Sequence, residues 1–155
     1  MGGFFFPGGH VAWYDNGVEF SCRMCGHCCS GEPGSVFLSD KSIDDISSFL
    51  GMDRQEFLQK YTRQVDMGTY RQISLKERDD YSCVFLGEKG CTIYPVRPLQ
   101  CMTYPFWPYL FEDRALWEAE KSNCPGIGSG EHHDANEIRR LVRQTLLEKL
   151  VTIVD

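Results

Sequence analysis

Four cysteines stand within eight residues, Cys22-Arg23-Met24-Cys25-Gly26-His27-Cys28-Cys29, and this run constrains the fold more than any other feature of the chain. Two-residue spacers let neighbouring thiolates turn toward a common ion, as metal-binding cysteines do. Gly26 lets the backbone make the tight turn that this requires. Side chains on consecutive residues tend to diverge, so Cys28 and Cys29 are expected to face different metals or different edges of one cluster. Cys83, Cys91, Cys101 and Cys124 complete a set of eight, but their spacing is too wide for local geometry to gather them. The fold has to bring them in. Four plus four thiolates suit two tetrathiolate zinc sites, one iron–sulfur cluster with spare ligands, or two clusters.

The start, Met1-Gly2-Gly3-Phe4-Phe5-Phe6-Pro7, has no basic region, and its apolar run breaks at Pro7. It reads neither as a secretory signal nor as a membrane span. No later stretch reaches the roughly 18 apolar residues that a span needs. A soluble, cytoplasmic protein is expected, in a compartment where glutathione and thioredoxin hold thiols reduced. That assigns the cysteines to metal rather than to cross-links. The competing reading, a disulfide-stapled secreted domain, draws on the even count of eight. It is disfavoured by the missing signal and by a length of 155 residues, enough to hold a core without staples. A net charge of -6 argues against affinity for phosphate backbones or anionic bilayers. The expected partners are therefore a metal ion or cluster and a protein partner or protein substrate, with no nucleic acid and no membrane.

Hydrophobic residues make up 42% of the chain and aromatics 13%, which allows one buried core and excludes disorder. The pattern predicts a small α+β domain with irregular cysteine-bearing loops over 21–155, preceded by an irregular arm over 1–20. Ser35–Leu38 reads as a short strand. Ser39 or Asp40 caps a helix through Ile43, Ile46, Phe49 and Leu50 that stops at Gly51. Asp53 and Glu56 open a second short helix as a capping box. Tyr70–Leu75 alternates as a half-buried strand, and Cys83–Leu86 and Cys91–Tyr94 are expected to pair around Gly87–Gly90. Pro95, Pro98, Pro105 and Pro108 exclude long regular structure between them. A last helix is expected from about Asp134 to Val151, with Ile138, Leu141, Val142, Leu146 and Leu150 on one side.

Three fragments now combine: Cys22-x2-Cys25-Gly26-x-Cys28-Cys29; Cys83 with Cys91-Thr92-Ile93-Tyr94-x2-Arg97-Pro98-x2-Cys101-x2-Tyr104-Pro105-Phe106; and Cys124-Pro125-Gly126-x-Gly128-x-Gly130. In this order they resemble the YkgJ-like cysteine-cluster proteins, the CxxCxxCC zinc- or iron-chelating domain, over about residues 20–130. The resemblance implies that all eight cysteines, Cys22, Cys25, Cys28, Cys29, Cys83, Cys91, Cys101 and Cys124, are metal ligands. A distant similarity to flagellin lysine N-methylases implies an iron–sulfur cluster and, as an alternative function, cluster-dependent modification of protein lysines. The chain has no G-x-G-x-x-G fingerprint after a strand.

The function expected is metal binding, iron–sulfur or zinc, for structure, redox sensing or electron transfer. Phe85, Tyr94, Tyr104, Phe106 and Trp107 tip the balance toward iron–sulfur, because aromatic cover keeps water from a cluster. Arg97 is placed to offset the negative charge of thiolates, and Tyr94 and Tyr104 to hydrogen-bond sulfur or a substrate; a buried ring with its hydroxyl at the surface is the structural alternative for each. Gly126, Gly128 and Gly130 permit an unusual backbone path. His27 lies in a spacer expected to point outward. His132 and His133 precede the last helix, and His10 falls in the arm.

Overall fold

The computed structural model describes residues 11–30 and 32–155. Met1 to His10, half of the expected arm, lie outside the described residues. The rest of that stretch is built into the domain instead of lying over it. Tyr14, Val18 and Phe20 are buried, and β1 (Val18–Phe20) pairs with a strand more than a hundred residues later. A 3₁₀ turn follows at His27–Cys29.

Capping chemistry sets the next two helices. The Ser39 hydroxyl accepts from Ser42 N at 3.2 Å and opens α1 (Asp40–Leu50), and Gly51 closes it at φ 68°. The Asp53 carboxylate accepts from Glu56 N at 2.8 Å and opens α2 (Arg54–Tyr61). Each side chain satisfies an amide that the first turn leaves without a partner.

β2 (Thr62–Asp66) runs directly out of α2 and pairs antiparallel with β3 (Arg71–Leu75). The strand expected at Ser35–Leu38 is reduced to a bridge, Phe37 to Ser74, with Leu38 N on Ile73 O at 3.0 Å. Ser74 is fully buried, and its hydroxyl accepts from Val36 N at 2.9 Å and donates to Leu75 O at 3.0 Å. A buried hydroxyl so satisfied costs little.

The predicted hairpin forms but is short, β4 (Leu86–Gly87) on β5 (Gly90–Cys91). Prolines then cut the chain into α3 (Leu99–Thr103), α4 (Pro108–Phe111) and α5 (Arg114–Glu120). The glycine-rich segment after Cys124 is β6 (Ile127–His133), the antiparallel partner of β1. Asp134 caps α6 (Ala135–Leu147) through Glu137 N at 2.9 Å. This helix ends before Val151, because the chain beyond it bonds elsewhere: Val151 N donates to Leu38 O at 3.0 Å, and β7 (Thr152–Ile153) adds to β3. Among the described residues no helix is long and apolar enough to cross a membrane.

The fold is α+β, as expected, but its interior is two apolar clusters instead of one. In the first, Phe20, Phe106, Phe111, Trp117, Ile127 and Ile138 pack between the β1–β6 ribbon and α4 to α6. In the second, Leu38, Ile43, Ile46, Phe57, Phe85 and Ile93 lie between α1, α2 and β3. Helix α3 ties them together. Gln100 accepts from Phe37 N at 3.1 Å and donates to Ser35 O at 3.0 Å, whereas the buried Thr103 hydroxyl accepts from Thr145 of α6 at 2.8 Å.

Phe57 has no exposed surface, and Leu147 is 68% exposed. Phe57→Ala is expected to cost about 3–5 kcal/mol, since the second cluster cannot collapse into the space left. Leu147→Ala should change stability by less than about 0.5 kcal/mol. Urea denaturation of both variants, followed by circular dichroism, checks the pair.

Candidate metal centre

Between the two clusters lies a cavity of about 210 Å³, and all eight cysteines line it. Its remaining wall is largely apolar, with Phe20 from the first cluster facing Leu75 and Ile93 from the second, and Met24 and Met102 exposed at the rim. Among the described residues no histidine or carboxylate lines it. Four local structures carry the cysteines in.

The chain at Cys22 and the chain at Cys124 are brought to one cavity because two stretches of backbone approach closely. Ser21 N donates to Gly126 O at 3.4 Å, and the Ser21 hydroxyl accepts from Glu131 N at 2.8 Å. A Cβ on Gly126 would stand 2.2 Å from Ser21 O, and one on Gly130, at φ 97°, 2.3 Å from Ser21 Oγ. These glycines therefore serve backbone approach between β1 and β6.

Gly26, at φ 78°, turns the chain into the 3₁₀ segment, and Cys29 N returns to Gly26 O at 3.0 Å. This turn aims both following thiols at the cavity. Cys28 and Cys29 have not diverged; their sulfurs are in contact at 3.8 Å. Cys29 O accepts from Cys83 N at 2.7 Å, and Cys83 O in turn accepts from Leu86 N at 2.9 Å at the base of the hairpin that carries Cys91. Cys101 comes from α3.

All eight thiols are free, and they line the wall without drawing together: among the described residues no three Cys, His, Asp or Glu donors stand at ligand spacing. Burial raises the Cys83, Cys91 and Cys124 thiols above their usual range, and Cys101 furthest. The hydrogen bond between Cys28 and Cys29 lowers Cys28 to about 7 and raises Cys29. Without a cation, most of these groups are thus held as neutral thiols in an apolar setting.

Arg97 acts in the opposite sense. It lies on the cavity wall, and its charge favours ionised Cys28, Cys91 and Cys101. Its Nε donates to Tyr94 O at 2.8 Å, and its guanidinium carbon sits 3.6 Å from the centre of the Tyr94 ring. Tyr94 therefore holds the arginine. The Tyr104 ring lines the cavity but its hydroxyl donates to Glu120, and burial together with that bond raises the phenol. It is committed to the protein, leaving its ring to face the thiols.

Among the described residues the histidines stay outside the cavity, and His10 lies outside those residues. His27 is exposed, His132 pairs with Glu19 at 2.9 Å, and buried His133 bonds Phe20 O at 2.8 Å. Of the lining residues missed in the sequence, Phe20 and Met24 border or fill the first motif, while Leu75, Ile93 and Met102 carry no local signal.

An all-sulfur donor set fits a thiolate-bound metal. Thiolates select zinc, copper(I) and iron–sulfur centres, whereas magnesium, calcium and manganese prefer oxygen ligands. Residues 21–125 match the family model CxxCxxCC, described as "Putative zinc- or iron-chelating domain". The match runs from the residue before Cys22 to the residue after Cys124 and so holds every cysteine. An uncharacterized protein of Methanocaldococcus jannaschii, MJ0661, is 31% identical over 97 residues, 60% of this chain and 48% of that protein. The chain thus spans about half the length of that curated relative. No solved structure matches it at a significant level.

Gly126→Ala is expected to force Ser21 away from Cys124, separating β1 from β6 where Phe20 meets Ile127. The cost should be about 2–3 kcal/mol, with bound metal reduced alongside. Thermal melting and elemental analysis of the same preparation check both effects.

Proposed function

Because this chain belongs to the CxxCxxCC family, we propose that its eight cysteines hold an iron–sulfur centre in the seam between the two apolar clusters, for structure and for electron transfer. The observation that carries this is the cavity itself, walled by every cysteine of the chain and otherwise mainly by apolar groups. A lone tetrahedral zinc engages four sulfurs, half of the thiols present. A volume of about 210 Å³ supports something larger than one ion.

The protein's own residues supply three further conditions. Phe20, Ile93 and the Tyr104 ring exclude water from one side, which helps to set a cluster's potential. Arg97 offsets thiolate charge from a position fixed by Tyr94. Cys22, Cys25 and Cys28 are exposed, so the centre reaches the surface where a redox partner can approach. When bound, the centre supplies one-electron chemistry and a bond between the two clusters.

The test is anaerobic purification of the full chain, followed by iron, zinc and sulfide analysis and an optical spectrum. The proposal expects a brown protein with iron and sulfide together, whose visible absorption bleaches on reduction and returns on oxidation. A colourless, zinc-loaded protein overturns the cluster. A chain with neither metal overturns metal binding altogether. Stripping the metal should also lower the melting temperature, because binding free energy is in part folding free energy.

A further inference from the structure

The cavity is not uniform. Cys22, Cys25 and Cys28 are exposed, whereas Cys124 is 8% exposed and part of the first apolar cluster. Cys83 and Cys91 pack against the second cluster, and Cys101 and Cys29 are likewise half-buried. Backbone bonds follow the same division. Ser21 and Gly126 join the chain at Cys22 to the chain at Cys124, whereas Cys29 O and Cys83 N join Cys29 to the base of the Cys91 hairpin.

From this arrangement we infer that the cavity holds two adjacent centres: an outer iron–sulfur cluster on Cys22, Cys25, Cys28 and Cys124, and an inner thiolate centre on Cys29, Cys83, Cys91 and Cys101. The inference rests on the reading that these cysteines bind metal, and it adds how they are shared and which centre is accessible.

Spacing agrees with the geometry. Three cysteines at two-residue intervals are how ferredoxins begin a cluster site, and in two-cluster ferredoxins the fourth cysteine of the run serves the other cluster. Here the fourth cysteine is Cys29, and the place it vacates is filled by Cys124, followed by Pro125. The 3.8 Å contact between Cys28 and Cys29 is where the two centres meet. That distance alone would suit two ligands of one ion, so the allocation depends on what surrounds each thiol. Cys124 belongs to the first apolar cluster, whereas Cys83 and Cys91 pack against the second.

Different exposure gives the centres different rates of exchange. Solvent reaches Cys22, Cys25 and Cys28 directly, whereas Cys29, Cys83, Cys91 and Cys101 are half-buried. The full chain, purified without oxygen, is treated with bathophenanthroline disulfonate and, in parallel, with EDTA, while released metal and sulfide are followed in time.

The wild-type chain should release metal in two phases. Cys22→Ser and Cys25→Ser, both at exposed positions, should each lack the fast phase, with its iron and sulfide, and keep the slow phase unchanged. A single phase in the wild type, or loss of the slow-phase metal as well from both variants, overturns the division while leaving metal binding in place. A wild-type chain that yields neither iron nor zinc on acid digestion overturns the reading beneath it instead.

Discussion

The structure depends on a wall of sulfur between two apolar clusters. Neither cluster reaches the other through that seam, and the groups that face it there are thiols whose ionisation burial opposes. Neutral thiols pack as small apolar residues and hold the seam open at little cost. Ionised thiolates in the same place are costly unless a cation accompanies them. Metal and ionisation must therefore arrive together, and the protons displaced by the metal leave in the same step. A seam of this kind couples the joining of the two clusters to metal occupancy, which an ordinary apolar core would not do.

Arg97 extends this logic. A divalent ion with four thiolates still carries negative charge, and the arginines on the cavity wall are Arg97 and Arg23. Arg23 is turned away toward the Ser129 hydroxyl at 2.6 Å. Arg97 is kept in place by its bond to Tyr94 O and by the ring beneath it, so its charge does not have to be ordered when metal binds. An arginine fixed in advance contributes more per contact than a mobile lysine would.

What was legible in the sequence was local. Ser39, Asp53 and Asp134 cap their helices through an amide three residues on, an interaction visible within one turn of sequence. The cysteine run, the α+β class and the metal-binding family were legible for the same reason, because their signals are short and ordered. The pairing of β1 with β6 was not, since it joins residues more than a hundred apart, and the glycines that permit it look like a turn when read alone. The division of the interior into two clusters was equally hidden, because apolar periodicity shows which side of an element is buried but not against what. Tyr104 shows the limit for a single side chain: its place beside the cysteines was inferable, but the Glu120 that takes its hydroxyl comes from a helix that the sequence did not reveal.

In the two-centre arrangement we infer, each part of the chain also lends a ligand to the other's centre. The outer centre takes three cysteines within seven residues and a fourth from 96 residues further on. The inner one takes three within 19 residues and a fourth from 54 residues earlier. Each part thus supplies three ligands to its own centre and one to the other's. Closing the longer of these loops costs only about 0.5 kcal/mol more than closing the shorter, so chain length does not rank the two. Burial does: Cys83 and Cys91 lie against the second cluster and are ordered with it, whereas Cys22 and Cys25 are exposed and rely on β1 meeting β6. Because Cys28 and Cys29 are consecutive, ordering the inner centre through Cys29 also brings Cys28 to the edge of the outer one. A single peptide bond thereby links the ligation of one centre to the assembly of its neighbour.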